Sequence, residues 1–176
     1  MIRILSLLAL AGAGLSAESV AGLRWTPPAG WKSEGTAPMR AATYRIQPAA
    51  GDKDTAEFVV YFFGQGEGGS VEANLERWKG QFRTPAGQVA AAKTAKRTVH
   101  GLPVTTIDAA GDYSGMGGPI AKGPAVRGYR LLGAIIENPG GNLFIKFTGQ
   151  AKTIEQNQAK FEQLLMSFER SGKSAP

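Results

Sequence analysis

The residues just before position 70 carry the one recognisable chemical motif of this 176-residue chain. Gly64-Gln65-Gly66-Glu67-Gly68-Gly69 satisfies G-x-G-x-x-G ahead of Ser70, a good helix N-cap. In a dinucleotide-binding fold, glycines so spaced let the backbone approach a pyrophosphate at a helix N-terminus. Here the preceding strands read as antiparallel, no clean apolar strand follows the helix at βαβ spacing, and Glu67 puts negative charge where phosphate would sit. The motif reads as a tight loop feeding a helix. Capture of an anion by the amides of Ser70 and Val71 stays open.

Other reactive types are sparse. His100 is the only histidine and precedes Gly101 at a hairpin tip, with no evident carboxylate to orient it, so a Ser-His-Asp arrangement has no support. One histidine and no cysteine exclude a transition-metal site of the usual nitrogen and sulfur ligands. Asp52, Asp54 and Glu57 are close together, yet they lack the further ligands and turn glycine of a calcium loop and read as a solvated turn. Asp108 and Asp112 do not stand out as a paired-carboxylate site. No catalytic residue, metal set or cofactor is therefore assigned.

A polar and aromatic group remains. In a helix from Ser70, Val71, Leu75 and Trp78 share a face, and Asn74 lies about 60° from its centre. A half-buried Asn needs partners, which the adjoining glycine loop can supply. Arg77 points further out, and Arg40 precedes a strand. Convergence of these residues near segment 114–128 would make a pocket, so the candidate ligand-binding set is Arg40, Gly66, Ser70, Asn74, Arg77 and Trp78. Lys93, Lys96, Arg97 and His100 put positive charge on one hairpin, either as an edge that discourages strand aggregation or as a docking surface for an acidic partner.

These residues are positioned by a mixed α and β framework. Residues 23–25 form a short strand, and Pro27 and Pro28 force a turn. Positions 41–46 alternate as a strand does. Residues 58–63 (FVVYFF) are apolar throughout, which predicts a central strand covered on both faces. A helix carrying Val71, Leu75, Trp78 and Phe82 on one face ends near Phe82. Residues 94–99 and 102–110 form a hairpin. Segment 114–128, with five glycines and two prolines, is expected to be a long loop. Strands at 129–137 and 143–148 flank an Asn138-Pro139-Gly140-Gly141-Asn142 turn. A closing helix begins at a capping box of Thr153 and Gln156, and its apolar side is Ile154, Phe161, Leu164, Leu165 and Phe168. The expected fold is α+β, a mainly antiparallel sheet of about six strands packed with two amphipathic helices.

The first 17 residues read as a signal peptide: Arg3, an apolar stretch, then Ser16-Ala17, with Ala21 as a second cleavage option. The apolar run is too short to span a membrane. Removing residues 1–17 from 176 leaves 159, enough for one domain at 18–170, with residues 171–176 expected as a disordered tail. Loss of Arg3 lowers the formal charge from +6 to +5, and the basic residues are scattered, so nucleic acid is not an expected partner. Stability must come from packing, since no disulfide is possible.

The chain resembles the PsbP-like fold, an α/β/α sandwich best known from an extrinsic subunit of plant photosystem II. The resemblance rests on Trp25-Thr26-Pro27-Pro28-Ala29-Gly30-Trp31, the FVVYFF strand and the terminal stretch Phe161-Glu162-Gln163-Leu164-Leu165-Met166-Ser167-Phe168. The chain also looks like uncharacterised secreted bacterial proteins with the same W-x-x-P-x-G-W opening and a Met39-Arg40 pair before a strand. The resemblance implies a fold and a binding or assembly role; it transfers no metal ligand. The functional expectation is an exported periplasmic or extracellular binding or accessory module whose partner is an envelope protein, a polymer or a small ligand. The alternatives are a carboxylate-dependent hydrolase with a pocket under segment 114–128, and a structural envelope protein that docks through its basic hairpin.

Overall fold

The computed structural model describes residues 17–115 and 125–172. Residues 1–16 of the expected signal peptide, 116–124 of the expected loop and 173–176 of the expected tail lie outside these described residues. In chain order the elements are β1 (Glu18–Val20), β2 (Leu23–Trp25), β3 (Lys32–Ala37), β4 (Arg40–Ile46), β5 (Ala56–Phe62), α1 (Val71–Lys79), β6 (Phe82–Arg83), β7 (Ala92–Val99), β8 (Leu102–Tyr113), β9 (Val126–Ile136), β10 (Leu143–Gln150), α2 (Ala151–Gln156), α3 (Gln158–Met166) and β11 (Glu169–Arg170).

An eight-stranded antiparallel sheet is the frame. It runs β3-β4-β5-β10-β9-β8-β6, and β7 pairs with the remaining outer edge of β8. A small sheet, β1-β2-β11, joins the first and last strands of the described residues. The register follows from local turn chemistry. His100 and Gly101 have φ of 46° and 78°, the paired left-handed conformation of a tight hairpin turn between β7 and β8. Between β9 and β10, Gly141 N donates to Asn138 O at 2.9 Å and Asn138 N to Asn142 Oδ1 at 3.1 Å.

Strand alternation then sorts the side chains onto two faces. Phe58 and Val60 of β5, Leu143, Ile145 and Phe147 of β10, and Leu132, Ala134 and Ile136 of β9 share one buried cluster with Ile154, Phe161, Leu164 and Leu165 of α2 and α3. Trp25 and Trp31 enter this cluster too; Trp25 Nε1 donates to Tyr44 Oη at 3.1 Å, and Trp31 Nε1 donates to Asn157 Oδ1 at 3.2 Å. The opposite face gathers Ile107, Ala109, Leu131, Ile135 and Phe144 under Trp78 of α1. The layers are helix, sheet, helix.

Several expectations need correction. The sheet has eight strands because the exposed β3 shows no apolar alternation and β6 is only two residues long, so neither carries a periodic signal. The described residues form three helices, since the closing helix breaks at Asn157, whose side chain serves Trp31 and the Thr153 carbonyl. Thr153 does not cap: α2 starts directly after β10, and the Thr153 hydroxyl donates to Asp52 Oδ2 at 2.6 Å and accepts from Ala49 N at 2.9 Å. Phe82 is not on the helix. Gly80 closes α1, its amide bonded to Glu76 O at 2.9 Å, and Phe82 pairs with Tyr113 in the sheet. Strand β9 begins at Val126, inside the stretch expected as loop. In the FVVYFF run, Phe58, Val59 and Val60 are buried, but Tyr61, Phe62 and Phe63 are only partly covered.

Candidate functional site

The partly covered end of β5 has a cause on the α1 face. Helix α1 is anchored at Ser70, whose Oγ accepts from Ala73 N at 3.2 Å, and at Trp78. The Trp78 ring lies over Gly133 of β9, where a Cβ would come within 2.8 Å of the ring and 2.7 Å of Ile107. Only glycine permits that contact. The nine-residue helix covers part of the face, and a cavity of about 310 Å³ lies beside it.

Four aromatic rings, Tyr61, Phe63, Trp78 and Phe144, wall this cavity, and Asn74, Arg77, Gln81 and Lys146 supply its polar groups. Tyr61 and Phe63 are stacked with planes only 6° apart, and Phe144 meets Phe63 at 5.5 Å between centroids. Gly68 backs the same rings. A Cβ there would sit 2.4 Å from Phe144 and 2.9 Å from Phe63, at a φ of 91° that side chains rarely adopt. The glycine-rich motif thus lets backbone approach an aromatic wall rather than a pyrophosphate. Its carbonyl at Gly68 and that of Ser70 each accept from Asn74 Nδ2 at 2.8 Å, and Asn74 Oδ1 accepts from Arg77 Nη2. Asn74 therefore ties loop, helix start and Arg77 together.

Lys146 is the chemical centre. It sits mid-strand in β10, 6% exposed, and its Nζ donates to Gln81 Oε1 at 2.9 Å and lies 6.0 Å from the Trp78 ring centroid. Burial pushes its amine down to about 8, and the positive charge of Arg77 acts in the same direction. Lys146 and Tyr61 also line a smaller adjoining cavity of about 80 Å³ with Arg40, Glu57, Val59, Tyr113 and Thr148. Glu57 is already engaged there, by Arg40 Nη1 at 3.1 Å and Arg45 Nη2 at 3.3 Å, while the Arg40 guanidinium lies 5.4 Å from the Tyr61 ring centroid. Burial pushes Tyr113 up to about 12 and raises Tyr61 as well.

Of the six sequence candidates, Asn74, Arg77 and Trp78 line the main cavity and Arg40 the adjoining one. Gly66 and Ser70 line neither: Gly66 is a turn residue and Ser70 caps α1. Sequence reasoning missed Lys146, Gln81, Tyr61, Phe63 and Phe144. Lys146 had a signal, a single charge inside the apolar run Leu143-Phe144-Ile145-Lys146-Phe147. Three of the other acids considered are taken up elsewhere. Asp52 accepts from Thr153, Asp54 from the Tyr129 hydroxyl at 3.0 Å, and Asp108 holds Arg130 through two bonds of 2.9 and 2.8 Å. His100 is exposed, with Nδ1 2.9 Å from Phe168 O.

No family model matches the sequence, and neither does any curated protein. A solved structure shares its fold. The solution structure of cyanobacterial PsbP (CyanoP) from Synechocystis sp. PCC 6803 superposes with a TM-score of 0.53 at 14% identity, over 94% of this chain and 97% of that one. The crystal structure of PA94, a protein of unknown function from Pseudomonas aeruginosa, gives a TM-score of 0.49 at 12% identity, over 86% of this chain and 94% of that one. The fold is PsbP-like.

Proposed function

We propose that the chain is an exported envelope module without catalysis of its own, and that it binds a small ligand in the aromatic cavity beside α1. The observation that carries this reading is the cavity itself: about 310 Å³, walled by four rings, with a few polar groups on one side. Concave, mainly apolar sites with sparse polar groups are the usual form of small-molecule binding sites. Export rests on the leader-like start of the sequence. Cleavage after Ala17 would keep β1, whereas cleavage after Ala21 would remove it. Among the described residues no helix is long and apolar enough to cross a membrane.

The hydrolase alternative is less favoured, because among the described residues no carboxylate lines the main cavity and Glu57 in the adjoining one is held by two arginines. Docking through the basic hairpin is weakened by Arg97, which is paired with Glu162 at 2.7 Å rather than free for a partner.

Titration with indole, followed by amide chemical shifts, tests the reading. The expected result is a saturable shift of Trp78, Gln81, Gly133 and Lys146, with the opposite sheet face silent. Shifts confined to β7, or none at the solubility limit of indole, would refute it.

A further inference from the structure

Lys146 is a buried ammonium that the fold leaves underpaired. An ammonium carries three N–H donors, and among the described residues Lys146 makes one hydrogen bond, to Gln81. Among the described residues no carboxylate forms an ion pair with it. Glu57 is the acid that most favours its charge, and Glu57 is claimed by Arg40 and Arg45. Arg77, on the same cavity, adds a second positive charge, and its side-chain partner among the described residues is Asn74. A buried charge without a counter-ion is costly, and a bound anion removes that cost.

We propose that the ligand of this cavity is a small planar aromatic carboxylic acid, its carboxylate seated on Lys146 with Arg77 supplying the second positive charge, and its ring system held against Trp78, Phe63 and Phe144. This rests on the cavity being the ligand site. A volume of about 310 Å³ is at the small end for binding pockets and suits a one- or two-ring molecule. The flat walls select planarity. A phosphate ester fits less well, because the backbone amides at the start of α1 are not part of the lining.

Binding is then coupled to one proton. The charged and titratable groups around Lys146 are Arg77 from α1, Arg40 from β4, Glu57 and Tyr61 from β5, and Tyr113 from β8. Burial raises both tyrosines above their ordinary value. Lys146, lowered to about 8 by its burial, changes charge between neutral pH and about pH 9.5.

Calorimetric titration with 2-naphthoate and its neutral isostere 2-naphthamide decides the matter. The wild type should bind naphthoate about tenfold more tightly than naphthamide near pH 7, and that advantage should shrink about tenfold near pH 9.5. Lys146→Met should bind the two about equally at both pH values, its retained naphthamide binding showing that the cavity is intact. Arg77→Gln should weaken naphthoate several-fold while leaving naphthamide unchanged. Equal binding of the two compounds by the wild type would overturn the acid assignment and leave the cavity as the ligand site. Binding of neither would overturn both.

Discussion

Trp78→Ala is expected to lower stability by about 3–5 kcal/mol, seen as a lower denaturation midpoint. The ring is 3% exposed and supplies the main contact between α1 and the sheet. Its site is prepared from both sides, by the missing side chain at Gly133 and by Ile107 beside it. Truncation leaves a void that neighbouring rings cannot fill, since Phe82 and Phe144 are fixed in strands. The void would merge with the existing cavity and admit water to it. A midpoint equal to that of the wild type would show that α1 docks without its tryptophan.

Lys146→Met is expected to act in the other direction. The folded-state value of about 8 lies below the ordinary 10.5, so the folded chain holds this proton less tightly than the unfolded chain does. Stability from this group is thus lost as pH falls from about 10.5 through 8, and below 8 the full penalty of a buried ammonium, about 3 kcal/mol, is present. Methionine fills a similar volume with no charge. It leaves Gln81 without a partner, which returns about 1 kcal/mol of the gain. Urea unfolding near pH 7 should therefore find the variant more stable by about 1–3 kcal/mol, and near pH 10.5 the advantage should vanish. Each tyrosine titrates in both proteins, so the difference isolates Lys146. A pH-independent difference would show that the amine keeps its ordinary value. A residue whose removal stabilises the fold at neutral pH is one retained for another purpose, as binding groups often are.

Much of the framework was legible because it is written locally. Val71, Leu75 and Trp78 repeat at helical spacing, Ser70 caps, and helix α1 is where they place it. Asn74 bonds the glycine loop, as its position on the helix requires. The reading failed where a distant partner decides. Phe82 continues the helical spacing, yet its place is set by Tyr113, 31 positions along the chain. Thr153 and Gln156 match a capping box, but Asp52 and Ala49 claim the hydroxyl from over a hundred residues away. The cavity was half legible for the same reason. Asn74, Arg77 and Trp78 belong to one helix face, whereas Tyr61, Phe144 and Lys146 reach the site through the β5–β10 register, with Tyr61 opposite Phe144. Lys146 could have been singled out as a lone charge in an apolar strand. What it faces depends on the helix that crosses that face.

The most direct measurement is a crystal structure of the protein grown with 2-naphthoate. The expected result is the naphthalene ring in the cavity among Tyr61, Phe63, Trp78 and Phe144, with a carboxylate oxygen within hydrogen-bond distance of Lys146 Nζ. Naphthoate ordered only on the β7 hairpin or at a lattice contact, with the cavity holding water alone, would contradict the assignment of this cavity as the binding site.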